Sequence, residues 1–525
     1  MDERARIPVT LPRPHPTKPF WQDPPDADVA DLRSTAELPA AADIVIVGSG
    51  ITGASIAYHL QLQQRQQASS KRASVLMLEA RQACSGATGR NGGHTKAASY
   101  RSFRDHAAAL GVEAAVQIAR LELAAIQGVH RLAGTLPRGD DPSEDAVECD
   151  SHPCDTLDVV YDPTEWARAQ EAVAAMQAAM PAGDPAAAYT LYSRDEALAQ
   201  FPCSDHVDAA TGAVTSICGV VRYPAGSVSA YRFTVGIVKR CLAKGLNLQT
   251  NTPVVTIEKH RDGWTVVTDR GTVSARQVVL ATNGYTAHLV PALQGVVVPL
   301  RGQITMHRPG SKMPGGGAGG DTTDTTDTTD KTALETTYSF IYDQGYEYMV
   351  ARPPGSTCAG DIVMGGGLKF ADTTKVGGAG TGGLCEYGST DDTTLNPTVS
   401  AYLRETPIRY FGQGWGEDHP DGRVRAEWTG IMGYTPDGYP LVGEMPSPVS
   451  AGGDSSGLWL CCAFQGHGMA YSWPCGQALA AMIESAEVDD EAKQQEEDAG
   501  LRQWFPDCFR VTEARLKLRF AGRLH

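Results

Sequence analysis

The stretch Ile44-Val45-Ile46-Val47-Gly48-Ser49-Gly50-Ile51-Thr52-Gly53 constrains this chain more than any other. A short β-branched run reads as a buried strand, Ala54 to Gln64 has helical composition, and the G-x-G-x-x-G turn joins them. Each glycine has a task there. Gly48 allows the tight turn, Gly50 lets the backbone approach a diphosphate, and Gly53 lets the helix pack closely on the strand. Ser49, Ile51 and Thr52 fill the turn, so Gly48 to Gly53 as a whole opens a helix N-terminus where free amides and the dipole favour an anion. A second strand, Ser74 to Leu78, ends at Glu79, whose carboxylate is placed to accept hydrogen bonds from a ribose. Glu79 lies 26 residues beyond Gly53, and the polar stretch after His59 accounts for the spacing being longer than the usual ~20. Gly315 to Gly320 and Gly378 to Gly383 satisfy the same expression, yet neither follows a strand nor opens a helix. Both are compositional matches.

Charge excludes several function classes. With 45 Lys plus Arg against 61 Asp plus Glu, the formal net charge is −16, and no dense basic block exists to neutralise nucleic-acid phosphates or bind an anionic membrane surface. Residues 1–40 are rich in Pro, Asp and Arg and read as an extended arm with little chemistry. They contain no apolar segment of a secretory signal, and no apolar run reaches the ~18 residues of a membrane span. The expectation is a soluble cytoplasmic protein. Its 12 cysteines are then thiols rather than a disulfide framework, and no metal site is expected, since Cys461-Cys462 sits in a strand-like apolar run.

Apolar spacing predicts a long helix over 105–133, others over 163–180 and 231–244, and strands over 254–259, 263–269, 277–281, 296–307, 338–350 and 362–364. Two low-complexity stretches, 310–330 with its Asp-Thr-Thr repeats and 373–394, read as mobile surface insertions. The acidic run 484–498 reads as a solvated helix end or linker, and 501–525 has helical composition without an assigned role.

The turn alone serves NAD and FAD equally. Ala83 to His94 tips the balance: small residues let this segment run close to a large planar ligand, while Ser85, Thr88 and Asn91 offer hydrogen-bonding groups, although such a loop also serves as an ordinary anion nest. With these segments, Val278-Val279-Leu280-Ala281-Thr282-Asn283-Gly284-Tyr285 with Pro299 to Gln303, and Trp428 to Gly443 with Gly466-His467-Gly468-Met469, the sequence resembles the FAD-dependent amine and amino-acid oxidoreductases of the D-amino-acid oxidase type. It looks most like the branch that includes gamma-glutamylputrescine oxidase. The likeness runs from about residue 41 to about 486. It implies that Val254 meets the adenine through its backbone and that Thr282, Asn283 and Gly284 close the dinucleotide site. Ser85, Thr88, Arg90, Asn91 and Gly92 then pass beside the cofactor, and Gly466 to Met469 open a helix at the pyrimidine edge of the isoalloxazine. Family members that tether FAD use a cysteine in the segment equivalent to Gly430–Thr435, which holds none here, or a histidine near the position of Arg90 or Asn91. Dissociable FAD is therefore expected, with attachment through His94, off that position, as the minor alternative on reactivity grounds.

The implied fold is α/β, a Rossmann-type FAD-binding domain (41–103, 224–290 and 425–486) interleaved with a mixed or antiparallel-sheet substrate domain (104–223 and 291–424). The implied reaction oxidises a C–N bond of a small amine or amino acid to an imine, with O2 or another electron acceptor as second substrate. Three residues stand as catalytic candidates. His467 is either a polar group near the flavin or the residue that orients the glycine loop; His94 lies on a loop near the ring; and Arg352 either clamps a substrate carboxylate or is an ion-paired arginine. Tyr342, Tyr346, Tyr348 and Arg301 belong to the sheet expected to roof the flavin, and Trp428 is either core or lid. Two alternatives remain open: an NAD-dependent dehydrogenase, in which Gly466 to Met469 have no role, and a flavin-binding protein without turnover.

Overall fold

In the computed structural model the described residues are 2–63, 73–134, 146–207, 214–316, 333–342, 345–371, 383–447 and 455–520. Residues 317–330 of the first expected insertion and 373–382 of the second, with Gly317 to Gly320 and Gly378 to Gly382, lie outside that set, whereas 383–394, expected as a mobile surface stretch, is docked, with Glu386 and Asp392 buried against Arg301 and Arg81.

The opening strand, Ala41–Val47, is hydrogen-bonded in parallel on both sides, to Val75–Leu78 and to Gly271–Leu280. Burial on both faces explains its unbroken β-branched run. Alternation then divides its side chains: Ile44 and Ile46 pack against the helix Ile51–Gln63 and its neighbours, Val45 and Val47 against the antiparallel strands beyond. The first sheet runs Val254–His260, Gly263–Thr268, Gly271–Leu280, Ala41–Val47, Val75–Leu78, Asn247–Gln249. Its ten-residue strand Gly271–Leu280 is long enough to pair antiparallel with Gly263–Thr268 at one end and parallel with Leu458–Cys462 at the other.

The second sheet runs Val424–Tyr434, Val298–His307, Ile362–Gly365, Gly345–Ala351, Thr337–Tyr342, His152–Val160, Gly219–Ser227, His94–Lys96. Two strands sit differently from the sequence partition. His94–Lys96 and most of Val424–Tyr434 fall in segments expected in the FAD domain, yet both hydrogen-bond into this second sheet. They are the crossings by which the chain stitches the two sheets together.

The helix expected over 105–133 is two helices, Tyr100–Leu110 and Val112–Leu132, because Gly111 adopts φ +92° between them. The region expected as one strand over 338–350 is a pair of antiparallel strands. The C-terminal segment is part of the fold: Asp490 caps the helix Glu491–Arg502, and Phe505 and Phe509 are fully buried in the helical core. The N-terminal arm is docked along its length, with Val9, Trp21, Val29 and Ala30 buried. No helix among the described residues is long and apolar enough to cross a membrane.

Two histidines are locked into this framework as neutral rings. Burial pushes His130 down to about 4 and His307 down to about 3, and both are at most 1% exposed. The unfolded chain binds a proton at each below its ordinary value of about 6.5, whereas the folded chain refuses it until far lower pH. Stability therefore falls as pH drops through 6.5. Between pH 7 and pH 5 each should cost about 2 kcal/mol of unfolding free energy. Urea unfolding of the His307→Gln protein at the two pH values should show that much less acid loss than the parent; equal slopes would refute the assignment.

Candidate active site

A cleft of about 590 Å³ is lined by residues of both sheets, within the usual range for a small-molecule site. Its first end is the glycine turn. Gly48 sits at φ +108°, and a Cβ there would stand 2.6 Å from the Ala281 carbonyl oxygen; one on Gly53 would stand 2.0 Å from that of Gly48. No side chain fits either place. Gly48, Gly50, Ile51 and Thr52 line the cleft, whereas Ser49 and Gly53 do not. Ser49 instead donates its hydroxyl to Glu79 Oε2 at 2.7 Å and accepts the Cys84 amide at 2.8 Å. Glu79 Oε2 also takes the Ser49 amide at 3.1 Å, and Oε1 takes that of Arg81 at 3.1 Å. The carboxylate is thus fixed on the cleft wall by the turn it faces.

Residues 81–94 form the next wall. Thr88 accepts the Ile51 amide at 3.0 Å, tying this loop to the helix start. Arg81 grips Asp392 through two bonds of 3.1 and 2.9 Å. Arg90, 2% exposed, donates to the Thr429 carbonyl at 2.5 Å and to Thr17; burial lowers its pKa to about 10, so it stays cationic at neutral pH. Asn91 folds back on Thr88 and Gly93, and Gly92 lies against the Tyr348 ring, 2.4 Å from where a Cβ would stand. Ser85 is a correction. It is 4% exposed and does not line the cleft. Trp428 is fully buried, donating to the Arg90 carbonyl at 2.8 Å, and is core rather than lid.

At the strand end, Asn283 (φ +46°) accepts the Ala463 amide at 3.1 Å and so binds the first sheet to the approach of the last long helix, Gly468–Ala486. Val254, Thr282 and Asn283 line the cleft; Gly284 does not, lying instead where a Cβ would meet the Met432 carbonyl at 2.4 Å. Gly466, His467, Gly468 and Met469 all reach the cleft from that helix start. His467 Nδ1 lies 2.9 Å from the Gln465 carbonyl, which can only accept, so the ring holds its proton on Nδ1 and braces the glycine loop. Gly302 and Gly430, directly paired across two strands, leave a stretch of the second sheet without side chains on the cleft.

The remaining wall carries Tyr342, Tyr346, Tyr348, Tyr387 and Tyr434 with His94, Lys96 and Lys369. His94 Nε2 lies 2.7 Å from Thr337 Oγ1, and burial, with Lys96 nearby, pushes its pKa down to about 3. It is neutral at physiological pH. Lys96 donates to Asp158 at 2.6 Å and to Ser339 at 2.5 Å, and Asp158 also accepts the Tyr100 and Tyr223 hydroxyls at 2.9 Å. Burial pushes the Asp158 carboxyl up, but Lys96 and Arg101 outweigh it and leave its pKa below the ordinary value. Two arginines are corrections. Arg352 does not reach the cleft, being bonded to Asp150 at 3.1 Å and stacked 5.0 Å from the Trp21 ring centroid; Arg301 is held by Glu386 and Thr394. Lys96, Lys369, Tyr387 and Tyr434 escaped sequence reasoning. Only Lys96 left a signal there, two residues beyond His94 on one strand face.

The donor set fits a dinucleotide. Open amides of a helix start face the cleft beside Arg81 and Arg90, the Glu79 carboxylate lines the cleft next to that turn, and the glycine pair offers a flat surface for a planar ring. A nicotinamide reading leaves Gly466 to Met469 without work, yet they border the same cleft.

Comparisons with known proteins agree. Glycine oxidase from Geobacillus kaustophilus superposes with a TM-score of 0.61 over 90% of this chain and 99% of its own, at 19% identity. L-amino acid deaminase from Proteus myxofaciens gives 0.57 over 89% and 96%, at 15% identity, and L-proline dehydrogenase from P. horikoshii 0.53 over 88% and 99%, at 17%. At such identities these likenesses establish the fold alone. A curated relative, the probable oxidoreductase OrdL of Rhizobium meliloti (strain 1021), is 23% identical over 272 residues, 50% of this chain; the match spans about half of the relative's length, 49%. Residues 43–482 match the family described as FAD dependent oxidoreductase, and the chain belongs to that family of flavoenzymes.

Proposed function

We propose that the chain oxidises a C–N bond of a small amino acid or related carboxylated amine to an imine, which water hydrolyses. When bound, FAD supplies the hydride acceptor, at N5. The residues of this chain provide orientation, exclusion of water and electrostatics, and no side chain is needed as obligatory acid or base.

The observation that carries this reading is the distribution of charge and aromatic surface on the cleft wall. Among the described lining residues Glu79 is the only carboxylate, and it belongs to the dinucleotide end. Around Tyr342 and Tyr346 the charge that reaches the cleft is positive: the Lys369 ammonium lies 5.2 Å from the Tyr342 ring centroid, and the Arg101 guanidinium, itself outside the cleft lining, 4.8 Å from that of Tyr346, while the buried Glu347 carboxylate, also outside the lining, accepts the Tyr342 and Tyr410 hydroxyls. Lys96 is balanced by Asp158 behind it. Tyrosine faces attract an amine cation, while lysine and arginine attract a carboxylate. A zwitterion satisfies both, and a polyamine meets repulsion from Lys369 on the cleft wall. Opposite this wall, the start of the helix Gly468–Ala486 favours negative charge by roughly 0.3 to 2 kcal/mol, which makes reduction of a nearby ring easier. His467, braced by the Gln465 carbonyl, holds that helix start in place.

Anaerobic mixing of the FAD-loaded protein with N-methyl amino acids, cyclic imino acids and polyamines should bleach the flavin absorbance fastest with a carboxylated amine. Bleaching by polyamines alone would reject the carboxylate reading, and no bleaching by any amine would reject the function. Once a substrate is identified, Lys369→Met should raise its KM by about tenfold or more, the worth of one charge-assisted hydrogen bond, with kcat nearly unchanged. The corresponding decarboxylated amine should show no such change. An equal KM effect on both compounds would rule out carboxylate recognition by Lys369.

A further inference from the structure

Residues 43–482 carry the family match, so the N-terminal arm lies outside it; yet Leu11 and Pro12 line the cleft. We propose that residues 9–17 form a strap across the adenosine end of the dinucleotide site, whose Leu11 and Pro12 are part of the wall that retains FAD and which opens to let the cofactor in and out. The proposal rests on FAD occupying this cleft and goes beyond the choice of substrate.

The strap spans two anchors, one on each side of the cleft. On the first side the Val9 carbonyl lies 3.2 Å from His288 Nδ1, and Gln294 takes the Val9 amide at 3.4 Å; His288 itself lines the cleft beside Leu289 and Val254. On the other side Arg81 donates to the Arg13 carbonyl at 3.0 Å, Thr17 donates its amide to the Asp392 carbonyl at 2.8 Å, and Arg90 donates to Thr17. Arg81 and Arg90 are both cleft residues. Leu11 and Pro12 lie between the anchors. Both are half-buried and present an apolar pair to the cleft. An adenine face is the surface that would cover it.

Each anchor is built from several contacts. The Thr17 side is a network around buried Asp392, 1% exposed, with two arginines and the Thr429 amide. Trp21 and Gln22, which donate to the Asn91 and Gly89 carbonyls at 2.6 and 2.9 Å, fasten the chain just beyond it. The Val9 side is fastened as well: Val9 is buried in the core, and Gln294 also donates to the Ala5 and Ile7 carbonyls just before it. Opening is therefore a displacement of the segment between the two anchors.

Hydrogen exchange of the full-length protein, with and without FAD, reads the opening directly. Amides between residues 9 and 13 should exchange at least about tenfold more slowly with FAD bound. In a Leu11→Gly/Pro12→Gly protein, FAD should dissociate at least about tenfold faster, equivalent to 1.4 kcal/mol, as followed by recovery of free-flavin fluorescence. The melting temperature of the FAD-stripped variant should match that of the stripped parent. If that variant fails to fold, Thr10→Ala, which removes the hydroxyl contacts to Thr390 at 2.8 Å and to the Leu11 carbonyl at 3.3 Å, should still speed release. Unchanged exchange on FAD binding, or release rates equal to the parent's, would overturn the strap. A parent protein that takes up no FAD at all would overturn the cofactor assignment on which it stands.

Discussion

The tightest constraint in the molecule is the contact between the helix Ile51–Gln63 and the strand that precedes it. At Gly53 a methyl group would stand 2.0 Å from the Gly48 carbonyl oxygen, so the helix can take this position only because no side chain exists there. From that one approach the rest of the site descends. The helix start is held at the strand end, Ser49 turns away to hold Glu79, and Thr88 reaches the Ile51 amide. Removing the approach would displace the open amides from the cleft and unfasten the carboxylate beside them.

The loop 81–94 carries this geometry to the second sheet. Its arginines meet at Asp392, its carbonyls accept Trp21, Gln22 and Trp428, and its end becomes the edge strand His94–Lys96. One segment thus touches the dinucleotide turn, the N-terminal arm and the roof above the cleft. Buried arginines are costly unless charge and hydrogen bonds compensate them. Here Asp392 and several backbone carbonyls do so, and the loop bridges the two sheets beside the small apolar cluster of Cys84, Tyr231, Val235, Ile304 and Trp428 that also joins them.

Local patterns made much of this legible. The β-branched run, the three glycines and Glu79 report on contacts made within a few dozen residues, and steric rules for such a turn are strict. The long-range assignments were less secure. Arg352, Arg301 and Ser85 have the chemistry of ligand-binding residues, but nothing in their neighbourhoods along the chain announces Asp150, Glu386 or the burial of the serine. The same holds in reverse for Lys369, Tyr387 and Tyr434, and for Leu11 and Pro12 in an arm whose composition suggested only an extended chain. Gly111 shows a smaller case: apolar periodicity continues through it, while its backbone leaves the helical region and splits the helix.

The sequence by itself determined that a dinucleotide turn exists, where it lies, and which segments accompany it in the flavoenzyme family, since these depend on periodicity and on the steric demands of single residues. Only the tertiary structure decided which charges remain available on the cleft. An arginine or lysine is a ligand or a structural ion according to the carboxylate that folding brings beside it, and that partner comes from a distant part of the chain.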